Sequence, residues 1–366
     1  MIVMNVELDN LFGFQDFKIN FSYPKKLVKS TIKNEYLETK PNFRYKKVNI
    51  LMGANAAGKT SFGKALMAIF NFIAKRSLLS FDDALLHEDK QAYFSIDFLI
   101  DEDYLYRIVC SFLPQKVLSL DVFVSEISRT ASYETCADKL KKMHSEEADY
   151  MQKLDQLPRI GWIFTFPRDE RNTYLLKNDD ILNLDILNAV LRTLDPSIIQ
   201  VSKSTEVEKS YIIKSTNGDL FVQNGEVVDK NILSSGTKAG LDIAFFLSAL
   251  CKNSYGFYYC DEQFSFIQSD VEQTILSLMI SMMKPNTQLF FTTHNLDILE
   301  MTLPLHSFTF LRKNNKIEVI HPETTIKKND ISLRNAVKND IFDISPDISK
   351  ILAIEDICSE ISYAQE

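Results

Sequence analysis

One segment, GANAAGKTS at positions 53–61, restricts what this chain can fold into more than any other part of the sequence. An apolar run at positions 48–52 precedes it, and apolar residues at helical spacing follow it from Phe62 to Ile73. A strand, a glycine loop and a helix in this order form the context in which G-x-x-x-x-G-K-T acts as a phosphate-binding loop. The sequence therefore predicts a nucleotide site at the start of this helix.

Each residue type in this segment suits a phosphate ligand. Gly53 and Gly58 let the backbone curl, so that successive N–H groups and the helix N-terminus face the β-phosphate. Lys59 is predicted to bridge the β- and γ-phosphates, and the Thr60 hydroxyl is predicted to bind Mg²⁺. The candidate nucleotide-binding residues here are Gly53, Ala54, Asn55, Ala56, Ala57, Gly58, Lys59, Thr60 and Ser61.

Two further polar groups follow apolar strands later in the chain. Asp261 and Glu262 end the run FYYCDE, and the pair suits a magnesium carboxylate followed by a residue that orients or deprotonates the attacking water. His294 ends the next apolar strand after one predicted helix. It should therefore emerge at the same edge of the sheet, where a γ-phosphate contact is the favoured interpretation.

Composition describes a soluble globular protein, with 45% hydrophobic and 25% charged residues among 366. The N-terminus lacks a signal core and no apolar run is long enough to span a membrane, so we expect a cytoplasmic protein without a membrane partner. Five widely spaced cysteines without a C-x-x-C pair argue against a disulfide framework or a zinc site.

The net charge of −8 does not suit a protein whose whole surface coats nucleic acid. One local exception is the lysine-rich stretch, positions 25–47, which holds eight basic and two acidic residues. It is interpreted either as a solvated loop or as a nucleic-acid or partner contact.

Periodicity predicts the rest of the fold. Apolar and more polar residues alternate over positions 92–112, which predicts an antiparallel hairpin, and positions 117–124 are predicted to add a third strand. Positions 200–228 are predicted to form strands, with turns at Asn217-Gly218 and Asn224-Gly225. Helices are predicted at 132–157 and 179–194, and from position 241 onward helix and strand alternate as a parallel sheet requires. The helix at 132–157 would lie on its own domain or protrude as a partner contact.

Taken together, the motifs resemble the ABC-type ATPase heads of the SMC, RecF and OLD group, and most closely the single-headed AAA family ATPases of bacterial defence systems. GANAAGKTS matches that group's loop, with Asn55 at its asparagine position, and LSSGT at 233–237 resembles its signature motif. The resemblance implies that Ser234 and Gly236 bind the γ-phosphate of ATP held by an opposite subunit. It thus implies a homodimer, or a higher homo-oligomer, that sandwiches ATP head to head.

The fold class expected from this resemblance is α/β, a P-loop NTPase of the ABC-head type with a mixed sheet, a flanking antiparallel β subdomain and a helical signature lobe. The whole chain would form one such head. Its expected parts are lobe I with Walker A at 1–130, a helical insert at 131–160, a signature lobe with Walker B and H-loop at 161–310, and a hairpin with a helical tail at 311–366.

Departures from the family pattern shape the functional prediction. Ser235 and Thr237 replace the glycine and glutamine of transporter-type signatures, and the long SMC coiled coil and the OLD-type nuclease are missing. We therefore expect a Mg²⁺-dependent ATP hydrolase that switches a separate effector protein, in an anti-phage context. The alternative is a DNA-binding ATPase clamp in recombination or repair, which the lysine-rich stretch favours.

Overall fold

The computed structural model describes residues 1–27, 30–143, 148–167, 181–205, 207, 210–223, 226–227, 235–326, 332–346, 348–355 and 357. Its strands are β1 Ile2–Asp9, β2 Phe17–Asn20, β3 Tyr36–Leu37, β4 Lys40–Arg44, β5 Val48–Met52, β6 Ala92–Leu99, β7 Tyr104–Leu113, β8 Lys116–Glu126, β9 Lys141–Lys142, β10 Trp162–Thr165, β11 Ile198–Lys203, β12 Ser210–Ser215, β13 Leu220–Gln223, β14 Glu226–Val227, β15 Phe257–Asp261, β16 Gln288–Thr292, β17 Phe308–Lys313 and β18 Ile317–Ile320. Its α-helices are α1 Lys59–Lys75, α2 Tyr133–Ala137, α3 Tyr150–Asp155, α4 Leu184–Leu194, α5 Ser235–Lys252, α6 Ser269–Met282, α7 Pro322–Thr325, α8 Leu333–Lys338 and α9 Ser349–Leu352.

A six-stranded central sheet positions the predicted site. Its strand order is β10-β15-β16-β5-β17-β18, and every neighbouring pair is parallel except the hairpin of β17 and β18. Every residue of β5, β15 and β16 is buried, because layers of the protein cover both faces of the sheet. The carboxyl ends of these three strands therefore lie side by side.

Two hydrophobic cores pack on opposite faces of this sheet. Val48, Ile50 and Met52 belong to the core shared with α4, α5 and α6, whereas Leu51 belongs to the core shared with α1 and the antiparallel strands. Alternate residues of a strand point to opposite faces, which accounts for the division. The predicted mixed α/β class is confirmed, with mixed and antiparallel sheets.

The outer antiparallel sheet has the order β2-β1-β6-β7-β8-β9. The predicted hairpin at 92–112 and its third strand are confirmed as β6, β7 and β8, and β1 extends the sheet from the chain's first residues. A four-stranded sheet of β11 to β14 covers part of the other core. There the Asn217-Gly218 turn is confirmed, with Gly218 at φ 121°.

The predicted single helix over 132–157 is wrong. The chain forms α2, then β9, which pairs with β8, and then α3; positions 144–147 are outside the described residues. Ser132 and Asp149 each make a capping box, and each therefore starts a separate short helix. Apolar spacing alone does not distinguish two short helices from one long helix.

Within the described residues, the helix predicted over 179–194 begins at Leu184. Asn183 caps its N-terminus, because the Asn183 side chain accepts hydrogen bonds from the backbone N–H groups of Asp185 and Ile186. Positions 179–180 and the predicted Asn224-Gly225 turn are outside the described residues. The hairpin predicted near the C-terminal end of the chain is confirmed as β17 and β18, and short helices α7, α8 and α9 follow it. No helix in the described part of the chain is both long and apolar enough to cross a membrane.

Candidate functional site

The glycine loop, residues 53–58, connects β5 to α1, and both of its glycines are required by their surroundings. A Cβ on Gly53, at φ 156°, would lie 2.2 Å from the carbonyl oxygen of Leu311. Gly58 precedes α1 at φ 104°, where a Cβ would lie 2.8 Å from the side chain of Ile317. Both positions therefore need glycine for their backbone geometry and for the close approach of β17 and β18.

The Lys59 side chain is buried inside the curve of this loop. Its ammonium donates hydrogen bonds to the carbonyl oxygens of Gly53 at 3.0 Å and Ala54 at 3.3 Å, and lies 3.4 Å from Glu262 Oε1. Burial lowers the pKa of Lys59, and the charge of Glu262 opposes that shift. The Tyr259 hydroxyl donates to the backbone oxygen of Lys59 at 2.8 Å, which fixes the first turn of α1 to the central sheet.

The rest of the loop divides into buried and exposed residues. Ala57 packs into the core beneath α1, whereas Asn55 and Ala56 are exposed, Ala56 at φ 63°. Ala54 and Ser61 are partly exposed. Asn55 is thus free to face a bound ligand, as the resemblance implies for this position.

Asp261 lies at the centre of a buried hydrogen-bond network. Its Oδ2 accepts from the Thr60 hydroxyl and its Oδ1 from the Thr292 hydroxyl, each at 2.7 Å. The carboxylate is fully buried, and burial raises its pKa despite these bonds. A buried carboxylate with neutral donors is an environment in which a cation would be stabilised.

Glu262 and His294 meet beside this network. His294 Nε2 lies 2.8 Å from Glu262 Oε1, so the two predicted residues do emerge at one edge of the sheet. The His294 hydrogen bond is the main cause that lowers the pKa of Glu262. Glu262 has φ 42°, a left-handed conformation held by hydrogen bonds from its N–H to the backbone and hydroxyl oxygens of Thr292.

The oxygen donors at this edge fit a magnesium ion. The Thr60 hydroxyl and the Asp261 carboxylate are hard oxygen ligands from two elements that already touch. The described residues contain no cluster of three histidine, cysteine or acidic side chains suited to a metal. Mg²⁺ usually takes one or two protein ligands and completes its shell with phosphates and water, so the Thr60 and Asp261 oxygens suffice for it.

Of the two predicted signature residues, the structure describes only Gly236. Ser234 is outside the described residues, and Gly236 lies in the first turn of α5. The adjacent Thr237 donates to Asp195 Oδ2 at 3.3 Å, where α5 packs on the end of α4. The structure thus brings together Lys59, Thr60, Asp261, Glu262 and His294, while Gly236 belongs to the helical layer on one face of the sheet.

Sequence reasoning assigned no role to Thr292, Tyr259 or Glu272, although each contacts the site or its edge. Thr292 carried a usable signal, since β16 pairs with β15 in parallel and a polar residue at its end should face Asp261. Tyr259 and Glu272 carried no such signal in the sequence, because a tyrosine in an apolar strand and a glutamate in a helix are both common.

A cavity of about 330 Å³ opens next to Glu262 and His294. It lies between the end of β16 and the start of α6. It is lined by Glu262, Phe264, Ser265, Ile267, Ser269, Glu272, Thr292, Thr293, His294 and Asn295.

The lysine-rich stretch is only partly a solvated loop. Lys46 is buried and pairs with Glu323 at 2.7 Å, and Lys47 is buried and donates to the backbone oxygen of Lys33 at 3.1 Å. Burial lowers the pKa of Lys47 to about 8. Lys25 and Lys33 remain exposed, so the basic surface here is smaller than the sequence suggested.

No protein-family model and no curated protein matches the chain. Solved structures do resemble it. An SMC head bound to the C-winged helix domain of ScpA has 14% identity and a TM-score of 0.49, covering 89% of this chain and 100% of that one. The SMC head domain from Thermotoga maritima has 13% identity and a TM-score of 0.42, covering 88% and 99%. The recombination mediator RecF with ATP has 11% identity and a TM-score of 0.43, covering 87% and 97%. At such identities and TM-scores the likeness by itself assigns no activity to this chain.

Proposed function

We propose that this chain binds Mg-ATP at the glycine loop and hydrolyses it. The observation that carries the proposal is the convergence of Lys59, Thr60, Asp261, Glu262 and His294 at the carboxyl edge of one parallel sheet. Ligands bind at this edge in open α/β sheets. The glycine loop adds backbone N–H groups and the N-terminus of the 17-residue helix α1, which favour an anion.

Binding would rest on charge and on shape. Lys59 is held in the loop by two carbonyl oxygens, and its ammonium would contact the β- and γ-phosphates. Thr60 and Asp261 would hold Mg²⁺, which would neutralise phosphate charge in the transition state. Exposed Asn55 would contact the γ-phosphate, as the resemblance implies for this position.

Glu262 is the residue suited to act on water. Its lowered pKa keeps the carboxylate ionised at neutral pH, and an ionised carboxylate can accept a hydrogen bond and then a proton from an attacking water. His294 fixes one carboxylate oxygen at 2.8 Å and leaves the other for that water. In the same position the imidazole would also contact the γ-phosphate.

The site is open on one side, which supports completion by a second copy. The side chains of His294 and Glu262 are 39% and 22% exposed, and excluding bulk water from such a site strengthens its electrostatic interactions with the transition state. Ser234 and Gly236 of a second chain would cover the γ-phosphate. The ATP-bound homodimer would then act as a switch for a separate effector protein. The anti-phage context rests on the motif resemblance alone.

The test is ATP turnover with Mg²⁺ by the wild-type chain and by two variants of α1. Lys59→Ala should weaken ATP binding and reduce turnover by at least about 100-fold, because it removes a charge-assisted phosphate contact. Lys64→Ala is the matched control, since Lys64 is an exposed lysine on the same helix and should be without effect. Turnover that is absent, or equal in wild-type and Lys59→Ala, would overturn the proposed activity.

A further inference from the structure

A buried acidic residue, Glu272, lines the same cavity as His294. It occupies the first turn of α6 and is only 3% exposed. An isolated buried carboxylate is costly, and the groups that Glu272 contacts are neutral. The hydrogen-bond partners of Glu272 therefore indicate why an acidic residue occupies this position.

Both oxygens of Glu272 are used, and both bind the residues that flank His294. Oε1 accepts a hydrogen bond of 2.6 Å from the Thr293 hydroxyl, and Oε2 accepts one of 2.8 Å from the Asn295 amide. One rigid carboxylate thus fixes the positions immediately before and after the histidine. Two parallel bonds to one planar group define orientation as well as distance.

Other contacts make this connection rigid. The Thr293 hydroxyl also accepts from the backbone N–H of Asn295 at 3.0 Å, which closes a tight turn around His294. The Asn295 amide donates a second bond, of 2.9 Å, to the Ser269 hydroxyl at the start of α6. Its carbonyl accepts from the backbone N–H of Asp297 at 2.9 Å. The amide is therefore not free to rotate and replace one acceptor by another.

We propose that Glu272 is the positioning residue for His294, and that it holds the imidazole against Glu262 through Thr293 and Asn295. The inference rests on the proposed function, since it assigns to Glu272 a role in the same hydrolysis reaction. Glu272 does not touch the reacting atoms. It acts only through the placement of the His294 Nε2 atom.

Glu272→Gln tests this role with the smallest change in shape. Glutamine keeps one carbonyl oxygen for Thr293 but presents an N–H group to the Asn295 amide, which is also a donor. We expect kcat for ATP to fall by about 10- to 100-fold with little change in KM, because misplacement of a catalytic group by about 1 Å costs this much. Asp270→Asn is the matched control: it removes an exposed carboxylate from the same helical turn and should leave kcat unchanged.

A double-mutant cycle separates positioning from a general loss of stability. If Glu272 acts through His294, adding Glu272→Gln to His294→Ala should cause no further loss of kcat. A kcat of the double variant that is lower than that of His294→Ala would overturn the positioning role. A wild-type kcat in the single variant Glu272→Gln would overturn it as well.

The imidazole signal of His294 gives a readout that does not depend on turnover. In a histidine-labelled chain, His294→Gln identifies this signal, which should shift in Glu272→Gln and stay in place in Asp270→Asn. An unmoved signal in Glu272→Gln would overturn the inference. Absent turnover in the wild-type chain would instead overturn the proposed activity, so the two failures are distinguishable.

Discussion

The Thr60 hydroxyl donates a 2.7 Å hydrogen bond to Asp261 Oδ2, although the two residues are 201 positions apart in the chain. The bond joins the start of α1 to the end of β15. It places a hydroxyl and a carboxylate, the two oxygen types predicted to bind magnesium, within direct contact. Both cation ligands are therefore oriented by the fold itself.

Asp261→Asn should stabilise the protein without Mg²⁺ while it abolishes hydrolysis. Burial raises the pKa of Asp261, so the folded state holds its proton to higher pH than the unfolded chain does, and the ionised form costs stability at neutral pH. Asparagine removes that cost, and unfolding in urea at pH 7 with EDTA should show a higher midpoint.

The same substitution should reduce ATP turnover by at least about 100-fold, because the magnesium carboxylate is lost. Asp270→Asn, which changes an exposed carboxylate, should alter neither the urea midpoint nor ATP turnover. A lower urea midpoint for Asp261→Asn would contradict the proposed cost of burying this carboxylate.

Gly63→Ala should destabilise the protein, although glycine to alanine inside a helix is normally stabilising by about 0.5–1 kcal/mol. A Cβ at Gly63 would lie 2.5 Å from Cε1 of the Tyr259 ring, whose hydroxyl holds the backbone of Lys59. We expect the free energy of unfolding to fall by about 1–3 kcal/mol, the usual cost of overpacking a core.

Tyr259→Phe is the companion variant, since it keeps the ring and removes only the hydrogen bond to Lys59. It should cost about 1 kcal/mol, measured by urea unfolding beside Gly63→Ala. Unchanged or raised stability of Gly63→Ala would show that the ring of Tyr259 moves aside without cost.

The stability of the chain should fall as pH drops from about 6.5 to about 4, in part because of His321. Burial lowers the pKa of His321 to about 4, with a further contribution from Lys46, whose ammonium lies 3.1 Å from Nδ1. The unfolded chain therefore takes up a proton at higher pH than the folded chain does, which favours unfolding in acid.

His321→Gln should weaken this pH dependence by up to about 3 kcal/mol between pH 7 and pH 4, because the pKa of His321 falls from 6.5 to about 4 on folding and each pKa unit corresponds to about 1.4 kcal/mol. Urea unfolding at several pH values measures it. His87→Gln, at an exposed histidine, should retain the wild-type slope. An identical slope in both variants would contradict the assignment to His321.

Much of the site could be predicted because it depends on strand ends. The bounds of β5 agree with the predicted apolar run at 48–52, which ends at the glycine loop, and β16 is the predicted apolar strand that leads to His294. Parallel strands end at one edge, and the meeting of Glu262 with His294 follows from that rule.

The remainder depended on contacts that a linear pattern does not contain. The false helix at 132–157 arose because apolar spacing continues across two capping boxes, at Ser132 and Asp149, that start separate helices. Glu272 lay unnoticed in an ordinary helical turn, because its significance comes from Thr293 and Asn295 at the end of a distant strand. Long-range side-chain pairing of this kind becomes visible only in the folded chain.

The oligomeric state of Glu262→Gln with Mg-ATP tests the central claim most directly. Glutamine is isosteric but cannot take a proton from water, so ATP should stay bound and turnover should fall by at least about 100-fold. Light scattering should then show a stable dimer with Mg-ATP and monomer without nucleotide, and Lys59→Ala should stay monomeric in both. A Glu262→Gln chain that remains monomeric with saturating Mg-ATP would contradict the two-chain ATP switch.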